Sequence, residues 1–306
     1  MNLLENKTYQ IIGKVESINT GAHFSNTTIV TVEQEHINIK LNDEQVPLIK
    51  LGQVYAFTAV AVVRYEDDLV LRLDRIDPVE KVLNEKELEK VLKHFYVYAP
   101  LPVSDIKTGI ESYLKIIKNP VLADITNTIY KENQKMFYMH PAATKFHHAY
   151  VGGLSFHTLT MLKLIDPFIE VYPYLDRDLL YAGTILHDMS KLTEISGVDG
   201  EYTKEGLLVG HLVMQALDIE VVAKSLGYQD REETLLLKHM ILAHHGQYHF
   251  GSPKKPQTGE ALLLWYIDTI DSKFSVLGDI LAETKAGQFT GPVQVLDKMK
   301  FYKSKK

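Results

Sequence analysis

The chain has 306 residues, no cysteine, 45% hydrophobic and 24% charged residues, and a formal net charge of −6. Absence of cysteine excludes disulfides and thiolate metal sites, and the acidic balance excludes a global positive field that would gather nucleic acid. No apolar run approaches the ~18 residues of a membrane span, and the opening "MNLLENKTYQ" lacks the basic flank and apolar stretch of a secretory signal, so a cytoplasmic protein without a membrane partner is expected.

Up to about residue 78 the apolar pattern has the period of strands. "YQIIGKVESI", "TTIVTVEQE", "HINIKL", "QVYAFTAVAVVRYE" and "LVLRLDRI" are rich in β-branched residues. Polar, turn-like groups separate them, and "YEDDL" reads as a hairpin turn. Five short strands over this length predict a small all-β barrel of OB type across residues 1–80, with a generic five-stranded β domain as the alternative. That segment holds seven Lys and Arg against twelve Asp and Glu, a net of −5.

Pro78 closes this region and the period changes. Residues 81–103 are expected to form a charged helix, "NEKELEKVLKHF", and the extended linker "VYAPLPVS". From 104 to 306 nearly every segment has helical period, beginning with "DIKTGIESYLKIIKN" and "LADITNTIYKENQKMF". The fold class is therefore multidomain, a β-barrel followed by an all-α domain. The lysine-rich tail "KMKFYKSKK" reads as a solvated end or, alternatively, a phosphate-attracting one.

Ten of the 13 histidines lie between His140 and His249. In "GGLSFHTLTMLKLI" the i+3 and i+4 spacing puts Leu154, His157, Met161 and Leu164 on one stripe. "RDLLYAGTILHDMSK" aligns Leu180, Gly183 and His187, with Asp188 one position round and Gly183 small enough to admit a backbone or ligand. "EGLLVGHLVMQALDIEVVAKSLG" reads as one helix with Leu207, His211, Met214 and Val221 aligned. "DREETLLLKHMILAHHG" opens on an Asp-x-x-Glu capping pattern and directs Leu237, Ile241 and then His244 or His245 inward. "TGEALLLWYIDTIDSKF" puts Leu264, Asp268 and Asp271 on one face. Five helices each turning a histidine or an acid inward would bury polar groups at several kcal/mol each unless they are partnered. A metal cluster with imidazole and carboxylate ligands satisfies them together; a hydrogen-bonded structural network is the alternative.

The order His157, His187-Asp188, Asp268, with the additional His211 and His244-His245, resembles the HD superfamily of metal-dependent phosphohydrolases and its two-metal members. Lys191 completes a His-Asp-x-x-Lys pattern that many of them share. The stretches "HHAYVGGLSFHTL", "HHGQYHFGSPKKP" and "EALLLWYIDTIDSKF" narrow the resemblance to the YhaM family of bacterial 3′→5′ exoribonucleases, an OB-type domain joined to an HD domain. The resemblance implies an HD-type helical domain over 104–306 and hydrolysis of single-stranded RNA, and in a wider reading of single-stranded DNA, by a metal-activated water. It also implies two divalent ions, Mn²⁺ first, with Co²⁺, Fe²⁺ or Mg²⁺ as alternatives. Asp188 would bridge them, with His157, His187 and Asp268 on one ion and His211, His244 and His245 on the other.

Lys191, one turn beyond Asp188, is a candidate to stabilise transition-state charge. His147 and His148 are candidates to touch the terminal phosphate or sugar. Lys254 and Lys255 could hold the RNA backbone while Tyr248 or Phe250 stacks on a base. Asp271 is read as supporting the ligands or the fold. A homo-oligomer is expected. Two other functions fit the same residues: a nucleotide or cyclic-dinucleotide phosphohydrolase, and a nucleic-acid-binding factor without turnover.

Overall fold

The computed structural model describes residues 3–22, 24–65, 68–144, 148–198 and 200–305. The chain folds into two compact units, Met1–Val97 and Tyr98–Lys306.

In the first unit β1 (Thr8–Gly21), β2 (Phe24–Thr31), β3 (His36–Leu41), β4 (Val54–Tyr65) and β5 (Asp68–Pro78) form a closed barrel in the order β1-β2-β3-β5-β4. The long β1 serves both neighbours: Gly13 faces Thr31 on one side and Tyr55 on the other. A bulge between Val15 and Ser17 gives β1 the bend this double pairing needs. Parallel pairing of β3 with β5, Ile39 opposite Leu71, closes the ring. Ile11, Val15, Ile29, Ile39, Phe57, Ala59, Ala61, Leu71 and Leu73 fill the interior, as the period-2 alternation of strands dictates. This is the OB-like barrel expected from the strand pattern. Glu66 and Asp67 of the anticipated hairpin turn lie outside the described residues, although Tyr65 pairs with Asp68. The unit ends in α1 (Val79–Val82) and α2 (Glu85–Leu92).

The second unit is helical: α3 (Val103–Ile116), α4 (Pro120–Phe137), α5 (Gly153–Val171), α6 (Arg177–Leu186), α7 (Lys191–Glu194), α8 (Lys204–Leu208), α9 (His211–Ser225), α10 (Glu232–Ala243) and α11 (Gly259–Glu283). Asn119, Asp176 and Thr258 cap α4, α6 and α11 by accepting from first-turn N–H groups. The core gathers Ile106, Ile125, Leu154, Met161, Leu180, Leu237, Ile241 and Leu264, each fully buried side chain stabilising the fold by about 1.5–3 kcal/mol. α5, α6, α10 and α11 pack around this core, and each brings a residue of the candidate site to it or to its own end. Among the described residues no helix is long and apolar enough to cross a membrane.

Several expectations from periodicity change here. The helix through Asp188 stops at Leu186, and the one through His211 is broken at Gly210, whose φ of 78° lies in the region that favours glycine. Leu207, ahead of the break, and Val221 are exposed, while His211, Met214, Gln215, Ile219 and Val222 of α9 are buried. Arg231, not Asp230, is the N-cap of α10, and it makes no side-chain cap bond. Gly183 admits the Met240 side chain rather than a backbone or ligand: a Cβ there would meet Met240 Cε at 2.5 Å. The lysine-rich tail pairs with the segment before it, Phe301 accepting from Thr290 N–H and Lys303 N–H donating to Gln288, while Lys298, Lys300 and Lys305 stay exposed, in keeping with a solvated end.

Candidate metal centre

Five segments bring their polar residues to one buried point. His157 comes from the second turn of α5. His187 is the C-cap of α6, its N–H still bonded to Gly183, and the turn that follows projects Asp188 off the end of the helix. His211 opens α9, and its backbone N–H, one of the unpaired donors of a helix start, donates to Glu194 Oε1 at 3.1 Å. His244 is the C-cap of α10; with the helix finished, both His244 and His245 turn toward the centre. Gly246 allows that turn, because φ is 75° and any Cβ would lie 2.1 Å from the Trp265 indole. Asp268 and Asp271 come from successive turns of α11.

The hydrogen bonds fix which ring nitrogens carry protons. His187 Nδ1 faces the Thr184 carbonyl at 2.8 Å, His244 Nδ1 that of Ile241 at 2.7 Å, and His245 Nδ1 that of Phe250 at 2.8 Å. Carbonyls only accept, so each Nδ1 donates and each neutral ring keeps its lone pair on Nε2. His157 Nδ1 donates to Asp271 at 2.6 Å, and His211 Nδ1 to Glu194 at 3.0 Å. The Nε2 atoms of His157, His187, His211 and His244 are then left to converge on Asp188. Oδ1 lies 3.2 Å from His211 Nε2 and 3.6 Å from His244 Nε2. Oδ2 lies 3.3 Å from His187 Nε2 and 3.9 Å from His157 Nε2. Asp188 Oδ1, His211 Nε2 and His244 Nε2 are buried without a hydrogen-bond partner, an arrangement that costs about 1–3 kcal/mol per atom.

Lone pairs facing lone pairs repel, and His157 Nε2 lies only 3.3 Å from His187 Nε2. A proton relieves one such contact; a cation relieves all of them. Without a cation His157 takes that proton. Its burial would depress the ring, but hydrogen bonds to Asp268 and Asp271 outweigh this and push it up to about 10. Burial pushes His244 down to about 3, so its Nε2 stays a lone pair at neutral pH. Burial alone would raise the Asp188 carboxyl; the Lys191 ammonium beside it holds it well below the usual range instead. The residues thus fit divalent cations, with His211, His244 and His245 forming one cluster and His157, His187 and Asp268 another, the donor atoms of each within 4.8 Å of one another.

Lys191 Nζ sits 2.7 Å from Asp188 Oδ2 and faces a cleft beside the centre. His148 is buried, its Nε2 donating to Asp271 Oδ2 at 2.8 Å, behind the centre rather than on a substrate-facing surface. Lys254 and Lys255 do not line the cleft, and Lys255 Nζ lies 5.4 Å from the centre of the Tyr248 ring. His147 lies outside the described residues. Sequence reasoning missed Glu194, which holds His211 by both Nδ1 and the backbone. The signal was present in Gly210, which marks a new helix starting at His211 with unpaired N–H groups.

Asp271 orients His157 from behind and fixes its tautomer, as carboxylates behind metal-binding histidines do. Asp271→Asn is expected to weaken Mn²⁺ binding by about 10–100-fold, measured by competition with a chelator of known affinity. Unchanged affinity would mean that Asp271 serves only the packing of α5 against α11.

No protein-family profile matches the chain. It is 40% identical over 240 residues, 78% of its own length and 74% of the relative's, to the 3′-5′ exoribonuclease YhaM of Bacillus subtilis (strain 168). It is 38% identical over 278 residues (89% and 84%) to the same-named protein of Bacillus pumilus. A third, from Shouchella clausii, is 41% identical over 243 residues (79% and 74%).

Proposed function

Because the chain belongs to the YhaM family of 3′-5′ exoribonucleases, we propose that it shortens single-stranded RNA from the 3′ end by metal-dependent hydrolysis. The observation that carries the metal dependence is the array of Nε2 lone pairs aimed at a buried aspartate, with every Nδ1 proton committed elsewhere.

Asp188 would be a ligand common to both ions, since its Oδ1 faces His211 and His244 and its Oδ2 faces His187 and His157. Two ions follow from that reading, and Mn²⁺ suits a mixed imidazole and carboxylate set. When bound, such ions lower the pKa of water from about 15.7 toward ~7 and hold the attacking and leaving oxygens of the phosphodiester. The protein's own residues do the rest. The carbonyls of Thr184, Ile241 and Phe250 hold three histidines in the ligating tautomer, and Glu194 and Asp271 hold two more. Lys191, on the cleft wall, offers its ammonium to a phosphate oxygen as negative charge builds in the transition state. The acidic segment 1–80, net −5, is poorly suited to grip a phosphate backbone; we read the barrel as joining copies of the chain.

Incubation of the protein and Mn²⁺ with 5′-labelled single-stranded RNA should give a ladder shortened stepwise from the 3′ end. Turnover of mononucleotides or cyclic dinucleotides alone would replace this reading by a nucleotide phosphohydrolase. Tight RNA binding without turnover would replace it by a binding factor.

A further inference from the structure

Beside the centre lies a cleft of about 410 Å³ whose wall includes Lys191, His211 and His245. We propose that this cleft is the subsite for the terminal nucleotide of the strand, with Tyr202 and Phe250 stacking on its base; the proposal rests on the exoribonuclease reading above.

Three observations support it. The cleft shares Lys191, His211 and His245 with the metal centre, so a phosphate held at the centre continues directly into it. Away from that wall the lining turns apolar, as at Val209, and carries the Tyr202 and Phe250 rings, which are 48% and 59% exposed. Exposed rings beside an anion site suit a flat nucleobase, and stacking of this kind tolerates every base. Among the described residues the cleft has no arginine, asparagine or glutamine to read a base edge, and its one carboxylate, Glu194, is engaged by His211. An exonuclease that shortens strands of any sequence needs such indifference.

Both rings stand on backbone tied to metal-site histidines. The Phe250 carbonyl accepts from His245 Nδ1 at 2.8 Å. Tyr202 pairs with Ile195 in a short antiparallel bridge, and the next residue's N–H, that of Thr203, donates to the Glu194 carbonyl at 2.9 Å. Glu194 in turn holds His211. The base platform and the ligands are therefore positioned together, which lowers the ordering cost of binding.

The test uses the full chain loaded with Mn²⁺ and titrated in a calorimeter with 5′-AMP and with ribose 5-phosphate, which lacks the base. AMP is expected to bind about tenfold or more tightly than ribose 5-phosphate. Tyr202→Ala and Phe250→Ala should each weaken AMP by about tenfold and leave ribose 5-phosphate unchanged, the latter reporting an intact centre. UMP and GMP should bind within a few-fold of AMP. Equal binding of AMP and ribose 5-phosphate, or wild-type AMP affinity in both variants, overturns the subsite even if RNA is degraded. Loss of AMP binding in the variants, from a wild type that degrades no RNA, keeps the subsite and removes the exoribonuclease reading.

Discussion

Asp188→Asn is expected to slow hydrolysis of single-stranded RNA on the order of 10³-fold or more and to deplete bound metal. Asparagine is the informative replacement. Alanine would strand the Lys191 ammonium, now 2.7 Å from Asp188 Oδ2, and breaking a buried pair in that way costs about 3–5 kcal/mol. A loss of activity could then reflect unfolding. Asparagine keeps the shape and an acceptor for Lys191, but removes the negative charge and puts N–H donors where one carboxylate oxygen faced the ring nitrogens. Metal content by elemental analysis and cleavage of labelled RNA are read on the same preparation. Normal metal together with retained cleavage would reject Asp188 as the shared ligand.

Stripping the metal should lower the melting temperature by about 5–11 °C. Ligand present at about a hundredfold over its dissociation constant stabilises the folded state by about 2.7 kcal/mol, and each kcal/mol moves the transition of a unit this size by about 2–4 °C. The physical origin is the repulsion that a proton on His157 leaves in place, that of Asp188 Oδ1 against His211 and His244 Nε2. Calorimetric scans with chelator and after return of Mn²⁺ measure the shift. It should be largely absent in Asp188→Asn. An identical transition in protein shown to be metal-free would mean that the histidines and aspartates are satisfied without a cation.

Much of this architecture could be read from residue order because it depends on period. Strand alternation from Tyr9 to Ile76 predicts the barrel, and the stripes through His157, His187 and Asp268 predict which residues turn inward. Two features escaped because they depend on where helices stop. Nothing in the run "GTILHDMSKL" ends the helix by glycine or proline, yet α6 stops at Leu186 and Asp188 projects from a turn. Within "EGLLVGHLVM" Gly210 did signal a break, but the apolar residues on both sides continue a plausible stripe, and periodicity alone favoured one long helix. Partners distant in sequence were also hidden. Glu194 with His211, and His148 with Asp271, are separated by 17 and 123 positions, and no local pattern announces either. Exposed Tyr202 likewise carries no signal until the hairpin places it beside the cleft.

α11 supplies Asp268 near the end of the chain, while α5 supplies His157 near its midpoint. During synthesis, therefore, His157 and His187 leave the ribosome well before Asp268, which completes their cluster. A nascent chain holding only the first four of the five site-building segments has the site's histidines and Asp188 without Asp268 and Asp271. The barrel, whose pairings all lie within the first 78 residues, can close during that interval. The order of emergence thus separates an early, metal-independent folding event from a late one that waits for α11.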